Sequence, residues 1–107
     1  MKSVKTYSAR IWIAGDYNDA RRALKDFCKR GSCWTISKVQ YIYTGGEESG
    51  VCVTRINYPR FPACPSDIKM EALHLASLLK DRLFQRSFCI EFPDETLWHS
   101  DDCEAAE

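Results

Sequence analysis

The residues of this chain whose types could do chemistry are six cysteines, Cys28, Cys33, Cys52, Cys64, Cys89 and Cys103, and two histidines, His74 and His99. Cys28 and Cys33 are separated by KRGS, and neither CxxC nor HxxxH spacing occurs, so the pattern does not suggest a structural zinc site. No metal or other cofactor is expected. An even cysteine count in a short chain can signal a disulfide framework. The N-terminal MKSVKTYSARIWIAG, however, lacks the apolar core and cleavage site of a signal peptide. Reduced thiols follow, most of them small buried apolar residues. GxSxG, HExxH and DFG signatures are missing. A cysteine–histidine nucleophile pair needs rigid positioning, and His99 lies beside Cys103 at the chain's end. The expectation is a protein that is not an enzyme.

TGGEESG, residues 44–50, has the look of a phosphate loop. Such a loop aims backbone N–H groups at the anion, commonly at a helix N-terminus, and a Walker loop adds Lys and Ser/Thr. TGGEESG has no lysine and puts Glu47 and Glu48 where a phosphate would sit. Its glycines fit a turn between two strands, with an acidic tip.

The elements that carry these residues follow from periodicity. Residues 5–13 alternate as a strand, with Tyr7, Ala9, Ile11 and Ile13 on one face and Ser8, Arg10 and Trp12 on the other. Ala20, Ala23, Leu24, Phe27 and Cys28 form a helical stripe that Asp16 or Asn18 can cap and Gly31 ends. CWTISKVQYIY and VCVTRINY read as the two strands of a hairpin. A second helix, capped by Ser66, runs over residues 66–85 with Ile68, Ala72, Leu75, Ala76, Leu79 and Leu83 on one side and His74 opposite. SFCIEF is a fourth strand and TLWHS a short fifth. The order predicts an α+β, ferredoxin-like β-α-β-β-α-β sandwich. Its antiparallel sheet takes the order 4-1-3-2, with the extra C-terminal strand beside strand 4 and both helices on one face. Residues 1–100 form a single domain, and residues 101–107, DDCEAAE, an acidic disordered tail.

Formal net charge is zero, but residues 1–40 hold nine Lys/Arg against three Asp, or +6, and the remainder balances it. Such polarity suits docking by charge complementarity. NYPRFP interleaves Tyr58, Arg60 and Phe61 with prolines, and tyrosine and arginine are enriched at binding hot spots. With Glu47, Glu48 and Arg55 these are the candidate partner-binding residues.

YIYTGGEESG and INYPRFP, with their flanking β-α-β pattern, resemble short uncharacterised proteins of phages and prophages over most of residues 5–100. That resemblance implies a mobile-element setting in the cytoplasm of a bacterial host, and no particular chemistry. By analogy with other small phage proteins, the expected function is a non-enzymatic, anti-CRISPR-like inhibitor or adaptor directed at a host protein or defence complex. The alternative is an RNA- or single-strand-binding module with an open sheet face. Arg10 and Trp12 would stack and pair there, and Arg22, Lys25 and Lys29 would add charge. Residues 1–100 carry 15 basic against 11 acidic side chains, weak electrostatics for that role. No run of about 18 apolar residues exists to span a membrane. Finally, Lys38 is the one charge on the long apolar strand 2. Trp34, Ile36, Lys38, Tyr41 and Tyr43 therefore mark an under-protected edge suited to a twofold dimer.

Overall fold

A computed structural model describes residues 1–102. Seven elements follow in the order β1 (Ser8–Ala14), α1 (Tyr17–Cys28), β2 (Thr35–Tyr43), β3 (Gly46–Ile56), α2 (Pro65–Arg82), β4 (Ser87–Glu91) and β5 (Thr96–Ser100). The class is α+β: two helices and one antiparallel five-stranded sheet, ordered β2-β3-β1-β4-β5.

β1 alternates as its sequence requires: Ala9, Ile11 and Ile13 are buried and Arg10 is exposed. Gly15, at φ 138°, ends the strand in a conformation that side chains disfavour. Asp16 then caps α1, its carboxylate accepting from Asp19 N–H at 3.0 Å. Ala20, Ala23, Leu24 and Phe27 bury the helix's apolar stripe in the common core, where α1 packs on α2, β2 and β3.

The cap of α2 lies two residues earlier than the expected Ser66. Cys64 holds the cap position and Pro65 opens the helix, where a missing N–H costs nothing; Ser66 Oγ instead meets Cys64 Sγ at 3.2 Å. The helix also stops sooner, at Arg82. Phe84 takes a left-handed φ of 56°, and Gln85 N–H closes back on Lys80 O at 2.9 Å. Ile68, Ala72, Leu75, Ala76 and Leu79 lie wholly inside, and His74 is exposed. Both helices cover one sheet face; the other face stays open.

Asp101 and Asp102 belong to the acidic segment expected to be free. Asp101 N–H donates to Arg86 O at 2.8 Å, Lys80 Nζ lies 3.0 Å from Asp101 Oδ2, and Asp102 pairs with Arg86. The rest of the expected tail, residues 103–107 with Cys103, lies outside the described residues. Among the described residues, no helix is long and apolar enough to cross a membrane.

Candidate active site

Unequal strand lengths create the site. β1 has 7 residues and pairs β3 only as far as Ala14 opposite Gly50, whereas β3 has 11 and runs on to Gly46 with β2 as its partner. Beyond the end of β1 the β2–β3 hairpin stands alone. A cleft of ≈ 290 Å³ opens there, lined by Trp12, Tyr41, Tyr43 and Glu48 on one side and Gln85, Ser87, Phe88, Cys89 and Trp98 on the other.

The lining is aromatic with few polar groups. Trp12 sits between two thiols, paired across β3 with Cys52 and across β4 with Cys89, and Cys89 in turn faces Trp98 of β5. Trp12 Nε1 donates to Glu91 Oε1 at 3.2 Å, so this carboxylate fixes the indole. Trp98 is exposed and Phe88 buried, the latter stacked on His99 with ring centres 5.1 Å apart. Burial pushes the Tyr41 phenol up to about 12, with the anionic forms of Cys52 and Cys89 and the Glu48 carboxylate adding to it. Burial also raises the Cys89 thiol. Tyr41 and Cys89 therefore stay protonated near neutral pH and can donate hydrogen bonds here. Glu48 is the acidic side chain on the cleft wall, and Glu91 stands behind Trp12.

The expected partner-binding residues do not form one surface. The hairpin turns at Thr44 and Gly45, so Glu47 and Glu48 are strand residues, paired with Ile42 and Tyr41. Successive strand residues point to opposite faces. Glu48 therefore joins Tyr41 at the cleft, while Glu47 accepts from Gln40 Nε2 at 3.3 Å on the other side. Tyr58, Arg60 and Phe61 lie past the far end of β3, roughly 30 Å away at ~3.3 Å per strand residue. Tyr58 and Phe61 pack on each other at 5.1 Å between ring centres. Arg55 is a core residue, 5% exposed, and its Nη1 binds Glu71 Oε1 at 2.7 Å.

The expected edge residues divide as well. Trp34 leaves the strand and enters the core, its Nε1 donating to Glu71 Oε2 at 2.9 Å. Ile36 packs against the core, and Lys38 reaches the Tyr17 ring of α1 at 5.2 Å. Tyr41 and Tyr43, of opposite parity, turn to the cleft. What had looked like a surplus of apolar side chains for an edge is used by two different faces.

The nucleic-acid set is split by the core itself. Arg10 and Trp12 belong to the open face, whereas Arg22, Lys25 and Lys29 ride on α1, behind the sheet. Arg22 is tied to Asp19 at 2.9 Å and Lys29 to Asp26 at 3.5 Å. No single basic surface results.

Sequence reasoning passed over Gln85, Cys89, Glu91 and Trp98. Alternation along SFCIEF and TLWHS would have placed Cys89, Glu91 and Trp98 opposite the buried Phe88, Ile90 and Phe92.

No protein-family model and no curated protein matches the chain. Two solved structures share its fold. One, described as a phage SAM lyase in the apo state, superposes with a TM-score of 0.74 at 15% identity over 94% of each chain. The other, a phage SAM lyase in complex with S-methyl-5'-thioadenosine, gives 0.66 at 16% identity over 94% of this chain and 93% of that one. At these identities the likeness is one of fold. It nonetheless overturns the expectation of a non-enzymatic inhibitor or adaptor, and the nucleic-acid alternative with it. The architecture, over nearly its whole length, is one shared with two structures described as phage SAM lyases. The same likeness overturns the expected partners, a host protein or defence complex and a second copy at the β2 edge, since one neighbour is described in complex with a small molecule.

Proposed function

We propose that this chain is a ferredoxin-like lyase of phage or prophage origin that cleaves S-adenosylmethionine at the open-face cleft. The observation that carries the reading is the cleft's chemistry in a fold shared with SAM lyases. The substrate has a flat purine and a sulfonium cation. Aromatic faces attract both, the purine by stacking and the cation through the ring quadrupole. Trp12, Tyr41, Tyr43 and Trp98 supply such faces, and Glu48 supplies the counter-charge. The cleft volume of ≈ 290 Å³ is at the lower end for ligand sites, which run from about 300 Å³ upward. It suits the methylthioadenosine half, with the amino-acid arm toward the open mouth.

Formation of S-methyl-5'-thioadenosine breaks the bond between the sulfonium sulfur and the first carbon of the amino-acid arm. The bonding pair stays on sulfur and the positive charge disappears. The four-carbon fragment closes on its own carboxylate or loses a proton to a base. Either course consumes charge, which a water-poor aromatic cleft favours over a hydrated one. Trp12, held by Glu91, and Tyr41 orient the nucleoside. Glu48 places the cationic end, and the Cys89 thiol, whose ionisation burial disfavours, presents no thiolate for the substrate to alkylate.

Chromatography of S-adenosylmethionine incubated with the protein tests this directly. S-methyl-5'-thioadenosine should accumulate, and more than tenfold slower with Trp12→Ala or Glu48→Gln. Glu47→Gln, on the opposite strand face, should run at the parent rate. Unchanged substrate, together with no binding of S-methyl-5'-thioadenosine, would end the proposal.

A further inference from the structure

The glycines of TGGEESG do three different things. Gly45, at φ 90°, makes the turn. Gly46 and Gly50 have no left-handed φ and lie within β3, where glycine weakens a strand and marks the close approach of another group. In each case that group is a cleft tyrosine. A Cβ on Gly46 would stand 3.2 Å from Tyr43 Cε2. At Gly50 a Cβ would stand 2.7 Å from Ile13 O and 3.1 Å from Tyr41 Cδ2, with Tyr41 Cε2 nearer still. Gly50 pairs with Val39, so Tyr41 reaches it diagonally, two residues further along β2.

We infer that Gly50 is a positioning residue for the cleft: its bare backbone lets the Tyr41 ring settle against the sheet, where it presents a face and a phenol to an adenine-bearing sulfonium ligand. The inference rests on the cleft being the substrate site. Two observations support it. Any side chain at position 50 would displace the ring, because the other neighbour is the Ile13 carbonyl, which β1 holds in place. The ring in its seat also stands opposite Glu48 across the hairpin and lines the cleft together with Cys89. An alanine would lift the ring from among these groups toward the solvent.

Gly50→Ala is compared with the parent, with Tyr41→Ala and with the double variant, each first checked for cooperative unfolding. The KM for S-adenosylmethionine should rise about ten- to a hundredfold in Gly50→Ala, the scale of a misplacement of roughly 1 Å. In the Tyr41→Ala background the same substitution should change KM less than about twofold, since there is no ring left to move. An ultraviolet difference titration gives the signature that a purely structural glycine would not. The component that Tyr41→Phe removes, titrating at about 12 in the parent, should move toward 10 in Gly50→Ala. An equal KM penalty in both backgrounds, or an unmoved Tyr41 titration, overturns the inference. If Gly50→Ala alone fails to fold, a folded double variant supports it, and a double variant that also fails assigns the glycine to β1 and overturns it. Should the parent not cleave S-adenosylmethionine, the titration still decides Gly50's role, so that the two readings fail separately.

Discussion

Among the described residues, Arg55 and Glu71 form the one ion pair that the fold encloses, their side chains 6% and 16% exposed, with Arg55 Nη1 2.7 Å from Glu71 Oε1. Further hydrogen bonds hold both partners. Glu71 Oε2 accepts from Trp34 Nε1 at 2.9 Å and from the Ser32 hydroxyl, and Arg55 Nε donates to Ile56 O at 3.2 Å. Arg55→Met removes the cation and keeps most of the stem, leaving a largely buried carboxylate with two neutral donors. Loss of one partner from a buried pair costs about 3–5 kcal/mol. Glu71 retains some water contact, so the lower end, ~3 kcal/mol, is expected. For a chain of this length that lowers the melting temperature by on the order of 15 °C. Glu71→Leu should cost as much, because it leaves the guanidinium uncompensated and orphans the indole N–H. The double variant Arg55→Met/Glu71→Leu should cost clearly less than the sum, since no buried charge is left and an unpaired Trp34 N–H accounts for about 1–3 kcal/mol. Urea unfolding of the four proteins measures all three differences. Single losses under about 1 kcal/mol, or strict additivity, would refute the account of Arg55 as a structural residue and return it to the surface role its sequence context suggests.

Phe84 combines φ 56° with 91% exposure just past the end of α2, where glycine is preferred. Phe84→Gly should therefore stabilise by about 1 kcal/mol, visible as a melting temperature higher by ~4–8 °C; a loss would show that the ring makes a stabilising contact. Asp16→Ala should cost about 1 kcal/mol in urea unfolding by removing the cap on α1, and a neutral result would mean that solvent replaces it. Hydrogen bonds from Arg82, His99 and Arg86 hold the carboxyls of Asp26, Asp101 and Asp102 below their ordinary value. A depressed folded value gives stability that is present above the unfolded value of 3.8 and lost as pH falls through the folded one. The urea midpoint should thus drop below about pH 4, and replacing all three with asparagine should flatten that limb; an unchanged limb would remove these exposed pairs from the acid response.

What could be read from the sequence was what repeats locally. The alternation of β1 and the stripe of α1 each concern neighbours within one element, so period alone placed Ile11, Ile13, Ala20 and Phe27 in the core. Arg55 and Trp34 were misplaced because their partner is Glu71, 16 and 37 residues away, and an arginine in a strand or a tryptophan before one carries no mark of such a partner. The cleft was hidden for a different reason. It is not a motif but a difference in length between β1 and β3, and it appears only when the register is known. Register also decides parity, and parity decides which side chains line the cleft. Read as a flexible acidic tip, Glu47 and Glu48 are equivalent. Once the turn is confined to Thr44 and Gly45 they must point to opposite faces, and Glu48 alone lines the cleft. The same parity sends Tyr41 and Tyr43 to the cleft and Ile36 to the core, and it gives Gly46 and Gly50 a purpose that a turn did not. A stretch that first resembled a phosphate loop is better understood as a strand whose missing side chains make room for aromatic ones.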